Sequence, residues 1–382
     1  MNNRLKVGVV GVGHLGRHHA RILADHPDVE LVGVVDSNLD RAAEIAAKHG
    51  SRAYDDPLDL VDQVDAISIA VPTILHESVA TPFLDRGIAA LIEKPLATDA
   101  DAGRRLVELA RNRGAILQVG HIERFNPIWT SIERIPHRPK FIAAERLGLY
   151  TFRSTDIGIV HDLMIHDIDL VLSTTSAKVV SVEALGVRVL SEHEDIANAR
   201  IRFADGLVAE LSASRVNPSA VRAMRLWGVE GFVSVDFAAR KGTIIRPSER
   251  LRRGELALDL EGLDVARPAD VKERVFGRVL EVEEIEADRA TEPLALELAD
   301  FVSAVRSGSR PKVTGEDALR ALELAELVVA AIRAHRWDGT DEGPIGPFSL
   351  PDEQPRPIAD LAGPHFWKIP AALRKPSNHQ TT

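Results

Sequence analysis

The chain has 382 residues, with 47 Lys and Arg against 57 Asp and Glu, a formal net charge of −10 at pH 7, 4% aromatic residues and no cysteine. At roughly 150 residues per domain this length makes two or three domains, enough to bury about three quarters of the open chain's surface without staples. The lack of thiols excludes disulfides, thiol nucleophiles and cysteine-built metal sites. An acidic balance with sparse aromatics argues against a phosphate-tracking groove with base-stacking platforms, so nucleic acid is not an expected partner. No run approaches about 18 apolar residues, so no membrane span is expected. The early apolar run 7–12 is broken by Gly8 and Gly11 and has no cleavage signal after it. A cytoplasmic chain is the expectation.

From residue 6 to 118 short β-branched runs at 6–10, 30–35, 66–71, 89–92 and 115–118 alternate with helical stretches at 14–25, 39–49, 74–86 and 99–112. That alternation predicts a doubly wound parallel sheet covered on both faces. After about His121 the texture changes: an apolar helix at 159–172 precedes strands near 179–189, 197–203, 207–214, 222–229 and 232–236. Strands in series predict an α+β domain with an open, mostly antiparallel sheet. Helices at 294–305 and 315–335 close it, the second starting at a capping-box pattern from Thr314 to Asp317. The proline-rich stretch 341–382 is either disordered or an extended arm packed on its own or a neighbouring subunit. The expected division is 1–122, 123–338 and a tail at 339–382.

Three groups of residues point to chemistry. Gly11-Val12-Gly13-His14-Leu15-Gly16 follows a strand and opens a helix. Gly11 permits the tight turn, Gly13 a close approach of a pyrophosphate, and Gly16 close helix–strand packing. A second strand ends at Asp36, where a carboxylate accepts ribose hydroxyls and repels a 2′-phosphate, so NAD is expected rather than NADP. Arg41 is either a phosphate clamp or a solvent-facing helix residue. Next, Glu93-Lys94-Pro95 stands at the carboxyl end of a strand, the edge where open parallel sheets bind ligands. Last, Asp162, His166 and Asp169 fall at i, i+4 and i+7 on the apolar helix, forming one polar stripe. The stripe lines a cavity, is paired for packing, or shares a cation; no metal site is expected.

Together with Ala70-Val71-Pro72-Thr73, His76 and the late Val313-Thr314-Gly315-Glu316-Asp317, these motifs resemble the glucose–fructose oxidoreductase, inositol dehydrogenase and rhizopine-catabolism (Gfo/Idh/MocA) oxidoreductases, from residue 6 to about 337. The resemblance implies an N-terminal nicotinamide-binding domain, a C-terminal sheet whose face makes subunit contacts in a homodimer or homotetramer, and a substrate between them. It places Lys94 and His166 at the reacting carbinol with Asp162 assisting. Pro72, Thr73, His76, Glu93 and Lys94 then lie along the cofactor with Gly11, Gly13, His14, Leu15, Gly16 and Asp36. His161 departs from the aliphatic residue of the pattern and leaves two imidazoles to choose from. The chemistry of the residues agrees, since imidazole accepts a proton near neutral pH and an ammonium stabilises an alkoxide; the roles of His166 and Lys94 are exchangeable. The stretch Val119-Gly120-His121-Ile122-Glu123-Arg124-Phe125-Asn126-Pro127, with Asp156 and Gly158, resembles the branch that oxidises the 3-hydroxyl of UDP-linked N-acetylated sugars. In that branch an aminotransferase consumes the product for lipid A or surface polysaccharide. Arg124 then holds a phosphate or carboxylate, or pairs with Glu123 or Glu145 across the domains, and Asn126 holds a sugar hydroxyl or amide. A free polyol dehydrogenase of the inositol type and a non-catalytic NAD-binding sensor are the alternatives.

Overall fold

The computed structural model describes residues 4–135, 137–151, 157–255 and 267–349. The first half alternates β1 (Leu5–Val10), α1 (Gly16–Asp25), β2 (Val29–Val35), α2 (Leu39–His49), β3 (Arg52–Tyr54), β4 (Ala66–Ile69), α3 (His76–Asp85), β5 (Ala89–Glu93), α4 (Ala100–Arg113) and β6 (Leu117–Gly120). These strands form one parallel sheet in the order β3-β2-β1-β4-β5-β6. Winding reverses between β1 and β4, which opens a crevice at their carboxyl ends, the place where such sheets take ligands. β4 and β6 are buried along their whole length, as strands covered on both faces must be. The sequence pattern gives no strand at β3, whose three residues are too few to show a period, and it sets the last strand two residues early.

The chain continues through α5 (Pro127–Glu133), β7 (Pro139–Leu147), a π-helical turn at Val160–Met164, α6 (Ile165–Thr174), β8 (Val179–Arg188), β9 (Ile196–Phe203), β10 (Val208–Ser214), β11 (Val221–Gly228), β12 (Gly231–Asp236) and β13 (Lys241–Pro247). After these come α7 (Glu249–Arg252), α8 (Pro268–Arg274), β14 (Leu280–Glu286), α9 (Pro293–Ser307), α10 (Gly315–Ala334) and β15 (Phe348–Ser349). The second sheet has nine strands in the order β14-β13-β12-β11-β7-β10-β9-β8-β15. It is antiparallel except where β10 meets β7 and β15 meets β8. One face is covered: Met164, Ile165, Ile168 and Val171 pack with Ile142, Ile201, Leu211 and Met224. On the other face Phe141, Trp227 and Phe232 stack at 5.1 Å between successive ring centroids and stay half-buried.

The last two long helices tie the layers together. Leu298, Phe301 and Val302 of α9 pack with Val7, Leu23 and Val34 of the first sheet's layer. Leu322 of α10 joins Phe83 and Leu106 on that side, while Leu324 and Val328 enter the core of the second sheet. Packing therefore does not follow a contiguous division of the chain, since 293–307 lies against the N-terminal sheet. Thr314 and Asp317 make the reciprocal cap that starts α10. The beginning of the proline-rich stretch packs back through β15, with Phe348 5.2 Å from the Trp337 ring; Leu350, Phe366, Trp367 and Ile369 lie outside the described residues.

Because Phe301 is fully buried at the joint between α9 and the first sheet, Phe301→Ala should cost about 3–5 kcal/mol of stability. Urea unfolding monitored by far-UV circular dichroism would check this through a lower midpoint at unchanged slope.

Candidate functional site

The turn after β1 is shaped by backbone demands. Gly11 has φ +83°, and a Cβ there would lie 2.6 Å from the Ala70 carbonyl oxygen. A Cβ on Gly16 would stand 1.7 Å from the Gly11 oxygen, so α1 can approach the turn only without one. Beside Gly13 there is open space to 4 Å, and Leu15, Ile74 and Leu75 leave 46%, 68% and 42% of their surfaces uncovered nearby in sequence and at the same sheet edge. An open glycine backbone at a helix start, flanked by uncovered apolar side chains, fits a dinucleotide with its pyrophosphate on the turn. Pro72 is exposed and Thr73 half-buried on the following 3-10 turn. His14 is exposed, with Arg17 Nη2 3.3 Å from its Nδ1.

Asp36 accepts from Val12 N at 3.0 Å and Asn38 N at 2.9 Å. Arg41 donates to both its oxygens, Nε to Oδ2 at 3.1 Å and Nη2 to Oδ1 at 2.7 Å. Burial alone would raise this carboxyl, but Arg41 and the two main-chain donors outweigh it and hold the pKa below the usual range. Arg41 is thus neither a free clamp nor simply solvent-facing: it is the partner of Asp36.

Lys94 leaves β5 at a cis peptide bond to Pro95. Its Nζ donates to the Asp162 main-chain oxygen at 2.6 Å and to Asp162 Oδ1 at 3.2 Å. The side chains of the pair are 16% and 19% exposed. This contact brings the edge of the first sheet onto the π turn ahead of α6. Below it, Glu93 accepts from Lys94 N at 3.3 Å, and its Oε1 lies 3.1 Å from His19 Nε2; His19 Nδ1 is 2.8 Å from Ser68 Oγ. Burial raises the Glu93 carboxyl, but His19 and Lys94 prevail and keep it below its ordinary value. His76 is 1% exposed, with ring nitrogens 3.0 Å and 2.9 Å from the carbonyls of Val71 and Pro95. Burial lowers its pKa, so the neutral ring donates its one N–H to one of these carbonyls while it packs between the lysine loop and the exit of β4.

Asp162 stands on the π turn ahead of α6, and His166 and Asp169 on α6 itself. Asp162 meets Lys94, while Asp169 faces Arg124 Nη1 at 3.5 Å. Burial pushes the Asp169 carboxyl up to about 7. His166 is pulled well below its normal pKa by burial, then by Lys94, Arg146 and His121. The His121 ring meets it edge-on, 6.4 Å away at 88°, and burial with Lys94 and Arg124 lowers His121 to about 3. His161 lines a separate cavity of about 270 Å³ with Thr73, Pro95, Gly158, His193 and Arg333; burial, Arg333 and His193 take it to about 4.

Two expectations are corrected. Arg124 does not pair with Glu123 or Glu145; its neighbours are Asp169 and, at 3.6 Å, Glu133. Glu123 is claimed instead by Arg146 Nη1 at 2.8 Å, whose Nε and Nη2 hold Asp167 at 3.0 and 2.8 Å. Asn126 is buried; its amide donates to Glu123 Oε2 and its oxygen caps α5 through Ile128 N, so it is a cap rather than a group offered to a ligand. Asp156 lies outside the described residues. Among the described residues no group of three or more His, Asp or Glu is placed to hold a metal ion, and no helix is long and apolar enough to cross a membrane.

Sequence reasoning missed His19, His121, Arg146 and Glu297. His19 had a signal, because it shares the buried face of α1 with Gly16, Ala20 and Leu23. Glu297, on the apolar face of α9, is 0% exposed with neither carboxyl oxygen bonded among the described residues. Burial first, and the charge on Glu93 second, raise it well above a normal carboxyl. Of these two acids one stays charged and the other keeps its proton.

A family model described as "Oxidoreductase family, NAD-binding Rossmann fold" matches residues 5–121. A second, "GFO/IDH/MocA C-terminal domain", matches residues 140–234. The chain is 34% identical over 331 residues to UDP-N-acetylglucosamine 3-dehydrogenase of Acidithiobacillus ferrooxidans, covering 86% of this chain and 98% of that protein. It is 26% identical over 354 residues to inositol 2-dehydrogenase of Rhizobium meliloti, covering 87% and 98%. A solved structure of the Acidithiobacillus ferrooxidans enzyme superposes with a TM-score of 0.75 over 86% of this chain and 97% of that one. Levoglucosan dehydrogenase in complex with NADH, 17% identical, gives 0.72 over 86% and 97% and shows the shared fold.

Two predictions follow from these charges. In the folded state Glu297 keeps a proton that the unfolded chain releases above about pH 4.3, so wild-type stability falls as pH rises from there toward the raised folded value. Glu297→Gln removes that loss; its gain in melting temperature over wild type should be larger at pH 8 than at pH 5. Asp36→Ala removes the carboxylate and frees Arg41, so the ratio of NAD to NADP affinity should fall by about tenfold or more, about 1.4 kcal/mol, as read by fluorescence titration of both cofactors.

Proposed function

The chain belongs to the Gfo/Idh/MocA oxidoreductases and is an NAD-binding dehydrogenase, and from that premise we propose that it oxidises the 3-hydroxyl of a nucleotide-activated amino sugar of the UDP-N-acetylglucosamine type. The carrying observation is the meeting of Lys94 with Asp162 beside His166, at the carboxyl edge where the glycine turn also opens. The similarity to a UDP-N-acetylglucosamine 3-dehydrogenase over nearly the whole of that protein supports the choice of substrate.

When bound, NAD supplies the hydride acceptor. Gly11 to Gly16 and Asp36 would hold its pyrophosphate and adenosine ribose, with Pro72 and Thr73 along it. His166, neutral because burial and cations oppose its protonation, has a lone pair free to take the carbinol proton. Lys94, steered by Asp162, stabilises the alkoxide as it forms. Arg124 and the cavity beside His161 and Arg333 offer positive groups to the anionic part of the substrate. The same reading makes the enzyme cytoplasmic and a homodimer or homotetramer joined through its open sheet face, where the half-buried cluster of Phe141, Trp227 and Phe232 lies. Its 3-keto product would pass to an aminotransferase for amino-sugar lipid A or polysaccharide synthesis. The similarity to inositol 2-dehydrogenase supports a second reading, a free cyclitol as substrate.

The test is NADH formation across UDP-N-acetylglucosamine, its free sugar and inositol. Turnover of the nucleotide sugar is expected; brisk oxidation of inositol with none of the nucleotide sugar would decide for the cyclitol, and cofactor binding without turnover of any would mean a sensor. Lys94→Ala and His166→Ala should each lower kcat by orders of magnitude while NAD affinity stays close to wild type. Since His166 resists protonation, kcat/KM should be flat across about pH 6–8, its acid limb falling below the ordinary imidazole value of about 6.5. A limb at that ordinary value would remove His166 from the role of buried neutral base.

A further inference from the structure

We propose that His121 reads the substrate, hydrogen-bonding the hydroxyl on the ring carbon next to the one that is oxidised. The inference rests on the site assigned above and adds a residue to it. In the pairing of β5 with β6, Glu93 stands opposite Gly120, so Lys94 and His121 leave the sheet side by side at its ligand-binding edge. The His121 ring meets His166 edge-on at 6.4 Å. It is 1% exposed, yet neither Nδ1 nor Nε2 has a hydrogen-bond partner among the described residues, and His166 Nδ1 beside it has none either. A buried imidazole with neither nitrogen matched among the described residues is costly, and a bound ligand would supply the partner.

The charges around it select the kind of partner. Lys94 and Arg124 oppose a second proton on His121 more than Glu93 and Asp317 favour it, so the ring stays neutral with one donor and one acceptor. That pair complements a hydroxyl, which also gives and takes one hydrogen bond. It is a poor match for a phosphate or carboxylate, which only accepts. With the reacting oxygen between Lys94 and His166, His121 reaches one ring position further. In the nucleotide sugar proposed above, carbon 2 carries an acetamido group, which leaves the 4-hydroxyl as the free hydroxyl beside carbon 3.

The experiment uses the full-length enzyme with UDP-N-acetylglucosamine and its 4-deoxy analogue, on wild type and His121→Phe, which keeps a planar ring and removes both nitrogens. Wild type should show kcat/KM about 10- to 100-fold lower for the analogue. His121→Phe should lose a similar factor on the parent, lose little more on the analogue, and bind NAD as wild type does. A variant that discriminates the two sugars as strongly as wild type overturns the proposal. Wild-type enzyme that treats them equally does so as well, and that comparison needs no variant to fold. If UDP-N-acetylglucosamine is not turned over but inositol is, the proposed substrate falls; the same cycle, run with inositol and the deoxy analogue lacking the adjacent hydroxyl, then decides on His121. Turnover of neither ends both.

Discussion

The site is organised by one contact between halves of the chain, the ammonium of Lys94 against the carboxylate and the main-chain oxygen of Asp162. A partly buried ion pair contributes little net stability, because desolvating both partners offsets most of their attraction. Its value lies in geometry. It fixes where a cation from the first sheet stands relative to the helix that covers the second, the place that the proposed mechanism gives to an oxygen gaining negative charge. His76, buried between the carbonyls of Val71 and Pro95 and able to donate to one of them, supports the same loop from beneath, so the lysine is held near its backbone as well as at its tip.

Around that contact, buried charges are sorted by proton rather than by simple pairing. Glu93 stays ionised beside His19 and Lys94, whereas Glu297 nearby keeps its proton. Arg146 is spanned by Asp167 and Glu123. Burial first, and then the charge of Lys94 with Arg124 or Arg146, keeps the imidazoles of His121 and His166 neutral. A neutral imidazole next to an ammonium is a proton acceptor whose conjugate acid is destabilised until negative charge develops on the substrate oxygen. In the proposed mechanism base and oxyanion stabiliser would therefore depend on each other electrostatically, which is why the residue types alone do not divide the roles between them.

Much of this was legible in the sequence where a residue type has one dominant physical use. The glycines at 11 and 16 announce a turn that tolerates no Cβ, and the parallel strands read as continuous apolar runs. Legibility failed where burial and polarity part company. Strand β7 escaped notice because Arg146 occupies one of its inward positions. The polar run of β14, LEVEEIE, reads as solvated surface, since an edge strand buries little. His121 and Asn126 look like ligand groups or loop residues until their environments are known; one is buried with no hydrogen-bond partner among the described residues and the other is a cap. Ion pairs such as Arg124 with Asp169 join segments whose proximity only the fold creates.

The π turn at Val160–Met164 shows how the local backbone serves the contact between the halves. A regular α-helix commits each carbonyl to the amide four residues ahead. Here the winding widens to a five-residue step, as in the bond from Ile165 N to the Val160 oxygen, and a main-chain oxygen has a second lone pair for a side-chain donor. The Asp162 oxygen is taken up at 2.6 Å by Lys94 Nζ. The same residue thus offers the ammonium a main-chain oxygen as well as a carboxylate. Glu194 reaches the start of this turn, its carboxylate 3.4 Å from Val160 N, in space that a Cβ on Gly158 would occupy. Lysine and turn thus meet at one residue through two oxygens, which holds the end of β5 against the start of the helix that covers the second sheet.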